Sequence, residues 1–146
     1  MLVKYRDGHI PAAESLLETA TVDELRTNVA ERLDVFDITG ALDVIWDLVR
    51  QLNKLVTDTK PWELAKDDAN AAQLDRVLYT LADGLRVTAV ALAAYLPDTS
   101  PRILETLGQT DDLAWENVAV GKTVPTGGIE AAQPLFPRLE APATAA

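Results

Sequence analysis

The stretch Asn53-Lys54-Leu55-Val56-Thr57-Asp58-Thr59-Lys60-Pro61-Trp62-Glu63-Leu64-Ala65-Lys66 decides how this chain folds. A helical pattern enters it, a new helical turn leaves it, and Pro61 stands between them. Because proline lacks a backbone N–H and disfavours helix at the residue before it, we expect the first helix to end before Pro61. Proline also suits the first turn of the helix that follows. The sequence therefore predicts a helical corner, with Pro61 as its structural residue and Trp62 just beyond it.

The residues alone leave two interpretations of this corner open. Trp62 either plugs the joint between two helices or stands in solvent as a platform on which an unpaired base can stack. Asn53 either bonds a base edge or ties down the backbone of the corner, since its amide both donates and accepts. The nearby lysines Lys54, Lys60 and Lys66 either meet phosphates or form an ordinary solvated face.

Composition excludes several classes of function. At 146 residues the chain has the length of one domain, and its net charge of −10 opposes binding to DNA or to RNA through phosphates alone. It has no cysteine, and His9 is its only histidine, which excludes Cys–His and multi-histidine metal sites. No apolar run approaches the roughly 20 residues of a membrane span, and no apolar leader is seen, so we expect a cytoplasmic protein without a membrane partner.

Charge is distributed unevenly along the chain. Between residues 50 and 66 four basic side chains outnumber Asp58 and Glu63, whereas acidic residues predominate from Asp98 onward. The least acidic neighbourhood therefore surrounds the Pro-Trp corner.

Two other patterns are interpreted as having no catalytic or ligand-binding role. Asp43 and Asp47 are interpreted as a solvated helix face. Gly121-Lys122-Thr123 is interpreted as a chance likeness to the end of a phosphate loop, because no strand precedes it.

Hydrophobic periodicity predicts two helices before the corner. Thr21 and Glu24 form a capping-box pattern, which predicts a helix from Thr21 to about Phe36 with Phe36 on its apolar stripe. Asp37 is a candidate cap for the next helix, predicted over residues 38–57. Trp46 falls within the apolar spacing of that helix, and we interpret it as a core anchor.

The second half of the chain predicts one long helix followed by an irregular segment. Residues 71–96 are expected to form the central helix, in which Gly84 marks a place where another backbone packs close. Ser100 is a candidate cap for a short helix that stops at Gly108. Residues 118–138 are rich in glycine and proline, and we expect Leu135 and Phe136 to pin them by burial. The predicted architecture is an all-α helical bundle with an irregular C-terminal wrap.

Several stretches resemble methionyl-tRNA synthetases, a class Ia family, and they occur in the order of that family. They are Lys4-Tyr5-Arg6-Asp7-Gly8-His9-Ile10-Pro11, the run from Asn53 to Lys66, Ala89-Val90-Ala91-Leu92-Ala93-Ala94-Tyr95-Leu96-Pro97 with Ser100-Pro101 and Leu107-Gly108 after it, and Leu135-Phe136-Pro137-Arg138-Leu139-Glu140. Other class Ia relatives share the bundle, but the Pro-Trp and Leu-Phe-Pro-Arg pieces favour the methionyl enzyme.

The resemblance implies a C-terminal anticodon-binding domain over residues 1–140, without the first helix of the family, and a disordered tail over 141–146. Its partner would be the unpaired anticodon loop of tRNA-Met, with Trp62 as the base-stacking residue. Asn53, Lys54 and Lys60 carry over as parts of the same corner. The family's other anticodon-reading pair, an Asn and an Arg, lies on a helix that precedes the first residues of this chain.

The family's catalytic signatures are absent from these 146 residues. We therefore expect this chain to be non-catalytic, with no cofactor of its own, while ATP and magnesium would belong to the catalytic half of a methionine–tRNA ligase, itself a possible partner. The alternative hypothesis is a free-standing helical bundle that serves as a protein-interaction module and does not bind RNA.

Overall fold

The computed structural model describes residues 1–110, 113–131 and 133–136, and these residues form helices, turns and irregular segments without a strand. This confirms the predicted all-α helical bundle. The helices are α1 (Leu2–Arg6), α2 (Thr19–Asp34), α3 (Ile38–Thr59), α4 (Pro61–Leu64), α5 (Ala71–Ala91) and α6 (Thr99–Thr106), with short 3₁₀ turns at Asp68–Asn70 and Trp115–Asn117. The tail predicted over 141–146 lies outside the described residues. No helix among the described residues is long and apolar enough to cross a membrane.

Helix α5 is the centre of the bundle, as predicted. Of its 21 residues 14 are buried, and α3, α4 and α6 all pack against it. A fully buried aliphatic side chain stabilises a fold by about 1.5–3 kcal/mol, so this helix carries much of the core energy. It ends at Ala91 and not at 96, because the bonds from Ala93 N–H to Val90 C=O and from Tyr95 N–H to Leu92 C=O tighten the chain ahead of Pro97.

Helix α3 extends from one end of the bundle to the corner. Asp37 caps it as predicted, since its carboxylate accepts a hydrogen bond from Gly40 N–H at 2.9 Å. Its fully buried residues are Ala41, Ile45 and Leu48. The helix continues to Thr59, two residues beyond the predicted end, so it reaches the corner without a break.

Trp46 is not the core anchor that the sequence predicted. It is 43% exposed, because a residue that follows Ile45 by one position is turned about 100° around the helix from the buried line. The spacing of apolar residues was right, but the helix needs a narrower face than the one we assigned. Trp46 therefore lies at the edge of that face.

Helix α2 begins and ends earlier than its sequence pattern predicted. Its N-cap is Glu18, and Thr21 lies inside the first turn and not at the cap. The helix ends at Asp34, and Phe36 adopts a left-handed backbone conformation with φ of 61°. This reversal turns the side chain away from the stripe, so Phe36 is 88% exposed and the prediction that it packs inward was wrong.

Three further structural predictions are corrected here. Gly84 does mark close packing, but its neighbour is the side chain of Leu52 on α3 and not another backbone. Phe136 is 70% exposed, so the prediction that it pins the irregular segment by burial was wrong, whereas Leu135 is half-buried. The segment is also held by buried polar contacts and by Val118, which is fully buried. Ser100 lies inside α6, whose N-cap is Asp98.

Candidate nucleic-acid interface

The corner is built by one residue in an unusual backbone conformation. Lys60 has φ of 45° and ψ of 67°, and its N–H still donates to Val56 C=O at 3.1 Å, which closes α3. Its carbonyl then accepts from Glu63 N–H at 2.7 Å and from Leu64 N–H at 3.3 Å, which opens α4. A left-handed conformation costs a non-glycine residue about 1–2 kcal/mol, and this double use of its backbone offsets the cost.

Pro61 and Trp62 occupy the first turn of α4, as predicted. Pro61 is buried at the first helical position, and α4 packs against α5. Trp62 is 44% exposed, so it is neither a core plug nor a freely solvated ring. The short helix packs against α5 while nearly half of Trp62 stays accessible, so part of the residue is open to an incoming base.

Asn53 lies on the exposed surface of α3, apart from the corner itself. It precedes Thr59, the last residue of α3, by six positions, which is about 9 Å along a helix axis. Its backbone carbonyl accepts from the Thr57 hydroxyl at 3.1 Å. The structure thus brings Lys60 and Trp62 together, and it places Asn53 on the approach to them. Trp46 lies seven residues, or about two turns, before Asn53 and therefore shares its face of α3.

The lysines around the corner are mostly engaged by carboxylates. Lys54 forms an ion pair with Asp58 one turn along α3, and Lys66 Nζ lies 2.9 Å from both carboxylate oxygens of Glu63. Lys60 is exposed and forms no ion pair with a described residue. Most of the basic side chains in this neighbourhood are therefore already paired with carboxylates, and Lys60 is its available cation.

The polar core of the domain was missed by sequence analysis. Asp83 and Arg86 are both fully buried in α5, and the Thr123 hydroxyl donates to Asp83 Oδ1 at 2.8 Å while accepting from Arg86 Nε at 3.1 Å. Arg86 also donates to the carbonyls of Asn117 and Ala119, and Gly121 N–H donates to Asp83 Oδ2 at 2.8 Å. This polar clasp ties the irregular segment to the central helix.

A sign of the clasp was present in the sequence. Asp83 and Arg86 stand three apart in the helix that the sequence predicted to be central and buried, where charged residues are not expected unless they are paired. Burial beside Asp83 raises the pKa of the Tyr79 hydroxyl, which donates to Thr123 C=O at 3.0 Å. The Gly121-Lys122-Thr123 stretch therefore has a structural role and belongs to no phosphate loop.

The remaining sequence candidates do not form a catalytic or metal site. His9 is exposed in the loop after α1, and its Nδ1 lies 3.1 Å from the carbonyl oxygens of Arg6 and Asp7. Asp43 and Asp47 are exposed on α3, as predicted. Among residues 1–110, 113–131 and 133–136, no group of three His, Asp or Glu side chains could hold a metal ion.

Comparison with known sequences shows what this chain is similar to. The methionine–tRNA ligase of Caldanaerobacter subterraneus subsp. tengcongensis is 36% identical over 149 residues, which is 96% of this chain and 23% of that protein. The ligases of Bacillus subtilis and Streptomyces coelicolor are 34% and 35% identical, and they cover 97% and 96% of this chain. This chain spans only 22% and 29% of those two proteins. No protein-family model matches it.

Solved structures give the same result for the fold. The apo form of Mycobacterium tuberculosis methionyl-tRNA synthetase superposes with a TM-score of 0.82 at 26% identity, covering 97% of this chain and 30% of that one. The same enzyme in complex with methionyl-adenylate gives a TM-score of 0.82 over 94% of this chain and 28% of that one. The chain is therefore homologous to a segment of methionine–tRNA ligases, and about three quarters of the length of these relatives lies outside the match.

Proposed function

We propose that this segment of a methionine–tRNA ligase binds the unpaired anticodon loop of tRNA-Met, with Trp62 as the stacking platform. The observation that carries the proposal is that Trp62, in the first turn after a helical corner, is 44% exposed in a chain homologous to these ligases. Sequence-specific recognition of RNA usually targets single-stranded loops whose unstacked bases meet aromatic rings and hydrogen-bonding side chains. The corner supplies both.

Each residue of the proposed site, at the corner and on α3, has a distinct role in this proposal. Trp62 stacks one splayed base, an interaction worth about 1–3 kcal/mol. Lys60, which is not held by a carboxylate, contacts a phosphate beside that base. Asn53 lies on the approach along α3 and bonds the edge of a neighbouring base through its amide. Lys54 contacts a phosphate only after it leaves Asp58.

The chemistry of aminoacylation belongs elsewhere in this proposal. In this proposal the chain recognises tRNA-Met when methionine is attached to it during cytoplasmic protein synthesis. Activation of methionine, with ATP and magnesium, takes place on a catalytic part of the ligase outside these 146 residues. The corner acts by positioning the tRNA.

Titration with RNA tests the proposal. Wild-type chain is mixed at low salt with the anticodon stem-loop of tRNA-Met and with the same stem carrying a different anticodon. We expect the cognate loop to bind more tightly, by at least the factor of about 5 that corresponds to 1 kcal/mol. Equal affinity for the two loops, or no binding to either, overturns the proposal.

A protein-interaction module is the second candidate, and one specific observation favours it. At the end of the bundle where α2 meets α3, Val35, Phe36 and Ile38 are 72%, 88% and 57% exposed. Contiguous exposed apolar residues mark contact surfaces. If this patch is an interface between copies of the chain, sedimentation will show self-association that Phe36→Ser abolishes. If the chain is a monomer at all concentrations, the hypothesis that this patch joins copies of the chain is wrong.

A further inference from the structure

Three exposed ion pairs lie on α3 and α4, and two of them flank Trp62. Asp58 holds Lys54 on α3, Glu63 holds Lys66 across the turn after α4, and Asp47 Oδ1 holds Arg50 Nη2 at 2.5 Å farther up α3. Glu63 is the residue directly after Trp62, and Asp58 precedes it by four positions. The two carboxylates nearest to Trp62 in the sequence therefore pair with two of the three lysines nearest to it in the sequence.

We propose that Asp58 and Glu63 are specificity-determining residues that suppress binding to phosphates alone and thereby make the corner depend on an unstacked base. The inference rests on the proposed function, because it assigns the source of selectivity at the same site. A carboxylate beside the platform repels any nucleic-acid backbone, whatever its sequence. Only a ligand that also places a base on Trp62 gains enough to overcome this repulsion.

The pairs are weak enough for RNA to open them. Ion pairs between exposed side chains contribute little to stability, so Lys54 and Lys66 can turn toward a phosphate. The carboxylate that loses its lysine stays close to that phosphate. A unit charge about 6 Å away in water alters affinity by about threefold at low salt, and two such charges by about tenfold.

The salt dependence of RNA affinity should also report how many lysines at the corner are free to contact phosphates. Binding of single-stranded nucleic acid falls with salt by a slope of about −0.7 for each phosphate neutralised. If Lys60 is the main cation of the wild-type corner, its slope should be near the value for one phosphate. Removing both carboxylates frees two more lysines and should steepen the slope by about 1.4.

Helix α3 contains a matched control. Asp47 precedes Asp58 by 11 residues, which is about three turns and about 16 Å, so the two carboxylates lie on the same face. Asp47→Asn changes the net charge by one unit and frees Arg50, as Asp58→Asn frees Lys54. The two variants differ in distance from Trp62, which separates a local effect from the effect of total charge.

The experiment compares two RNA probes. The first is the anticodon stem-loop of tRNA-Met, and the second is a blunt RNA duplex, which offers phosphates without an unstacked base. We expect the double variant Asp58→Asn, Glu63→Gln to bind the duplex about tenfold more tightly than wild type. Its preference for the stem-loop should fall at least threefold, and its salt slope should steepen. The single variant Asp58→Asn should bind the duplex about threefold more tightly than wild type. Asp47→Asn, which changes the net charge by the same one unit, should stay within twofold of wild type for both probes. All three residues are exposed, so the variants retain the fold.

The outcomes separate this inference from the proposed function. If the double variant binds the duplex no more tightly than wild type, or if Asp47→Asn has the same effect, the inference is overturned. If wild type fails to prefer the cognate stem-loop, or if Trp62→Ala leaves its affinity unchanged, the proposed function is overturned. The duplex measurement does not involve Trp62 and still decides the role of the carboxylates in that case.

Discussion

The side chain of Leu52 on α3 occupies the space that a methyl group on Gly84 of α5 would need. Leu52 Cδ1 lies 2.7 Å from the ideal position of such a Cβ, and Cδ2 is closer still. The glycine thus lets the two longest helices approach, although glycine costs helix stability relative to alanine by about 1 kcal/mol. The contact holds α3, and with it the corner, against the central helix.

Gly84→Ala is therefore expected to destabilise the fold, by about 1–3 kcal/mol, because overpacking in a dense core outweighs the gain in helix propensity. Urea unfolding measures the change in the free energy of unfolding. It is compared for wild type, Gly84→Ala, Leu52→Ala and the double variant. The double variant should be more stable than the sum of the single effects predicts, since the shortened Leu52 makes room for the methyl group. If the two single effects on the free energy of unfolding simply add in the double variant, the contact between Leu52 and Gly84 does not limit how closely α3 and α5 pack.

Removal of Arg86 from the polar clasp should be strongly destabilising. Arg86→Met leaves the Asp83 carboxylate buried without its charge partner, and breaking such a pair costs about 3–5 kcal/mol. Arg50→Met, which breaks an exposed pair on α3, is the control and should cost less than about 1 kcal/mol. Limited proteolysis should cleave residues 118–131 faster in Arg86→Met than in wild type. Equal stability of the two variants would contradict the clasp.

Trp62→Ala should weaken binding of the tRNA-Met stem-loop by the stacking energy of about 1–3 kcal/mol, which is about 5- to 150-fold in Kd. Trp62→Phe should retain part of the affinity, since a smaller ring still offers a face to a base. Trp115→Ala is a matched control, because Trp115 is 37% exposed but lies in the turn at Trp115–Asn117. Fluorescence anisotropy measures the affinities. An equal loss with Trp115→Ala would point to a general effect on the fold.

Asp37 should make the stability of the fold fall in acid. Its pKa lies below the ordinary 3.8, first because its carboxylate accepts from Gly40 N–H and second because Arg32 bonds it. A lowered pKa means that the folded state favours the carboxylate, so its contribution is present above pH 3.8 and is lost as pH falls through the lower folded value.

The comparison of wild type with Asp37→Asn measures this contribution. Asparagine also caps helices but does not titrate, so the variant should have a lower Tm at pH 7, and its difference in Tm from wild type should shrink as pH falls below 3.8. Melting curves followed by circular dichroism from pH 7 to pH 2 give the difference. A difference in Tm that does not change with pH would show that the charge of Asp37 has no role.

Local sequence chemistry predicted where the helices of this bundle begin and end with mixed success. It was right at Asp37, Pro61 and Gly108, where backbone constraints act within a few residues. It was wrong at Thr21 and Ser100, because a side chain that can cap a helix does not compel the helix to begin there. Helix α2 begins two residues before Thr21, and α6 begins one residue before Ser100.

Burial of the aromatic residues could not be predicted in the same way. Trp46 and Phe36 both fit an apolar spacing, yet one lies at the edge of the α3 face and the other follows a left-handed reversal. Spacing predicts which residues share a face of a helix but not how wide a face its neighbours cover. At the candidate site the sequence predicted the corner, while the pairing of Lys54 and Lys66 with carboxylates required coordinates.

The order of helices, the break at Pro61 and the place of Trp62 just after it follow from the sequence by itself, because proline constrains only its own backbone and that of its neighbour. Only the tertiary structure decided that Trp62 stays half exposed, that Leu52 fills the space beside Gly84, and that Asp83 and Arg86 meet Thr123 inside the core. These depend on residues far apart in sequence, and the packing of a dense interior, which no local pattern encodes, brings them together.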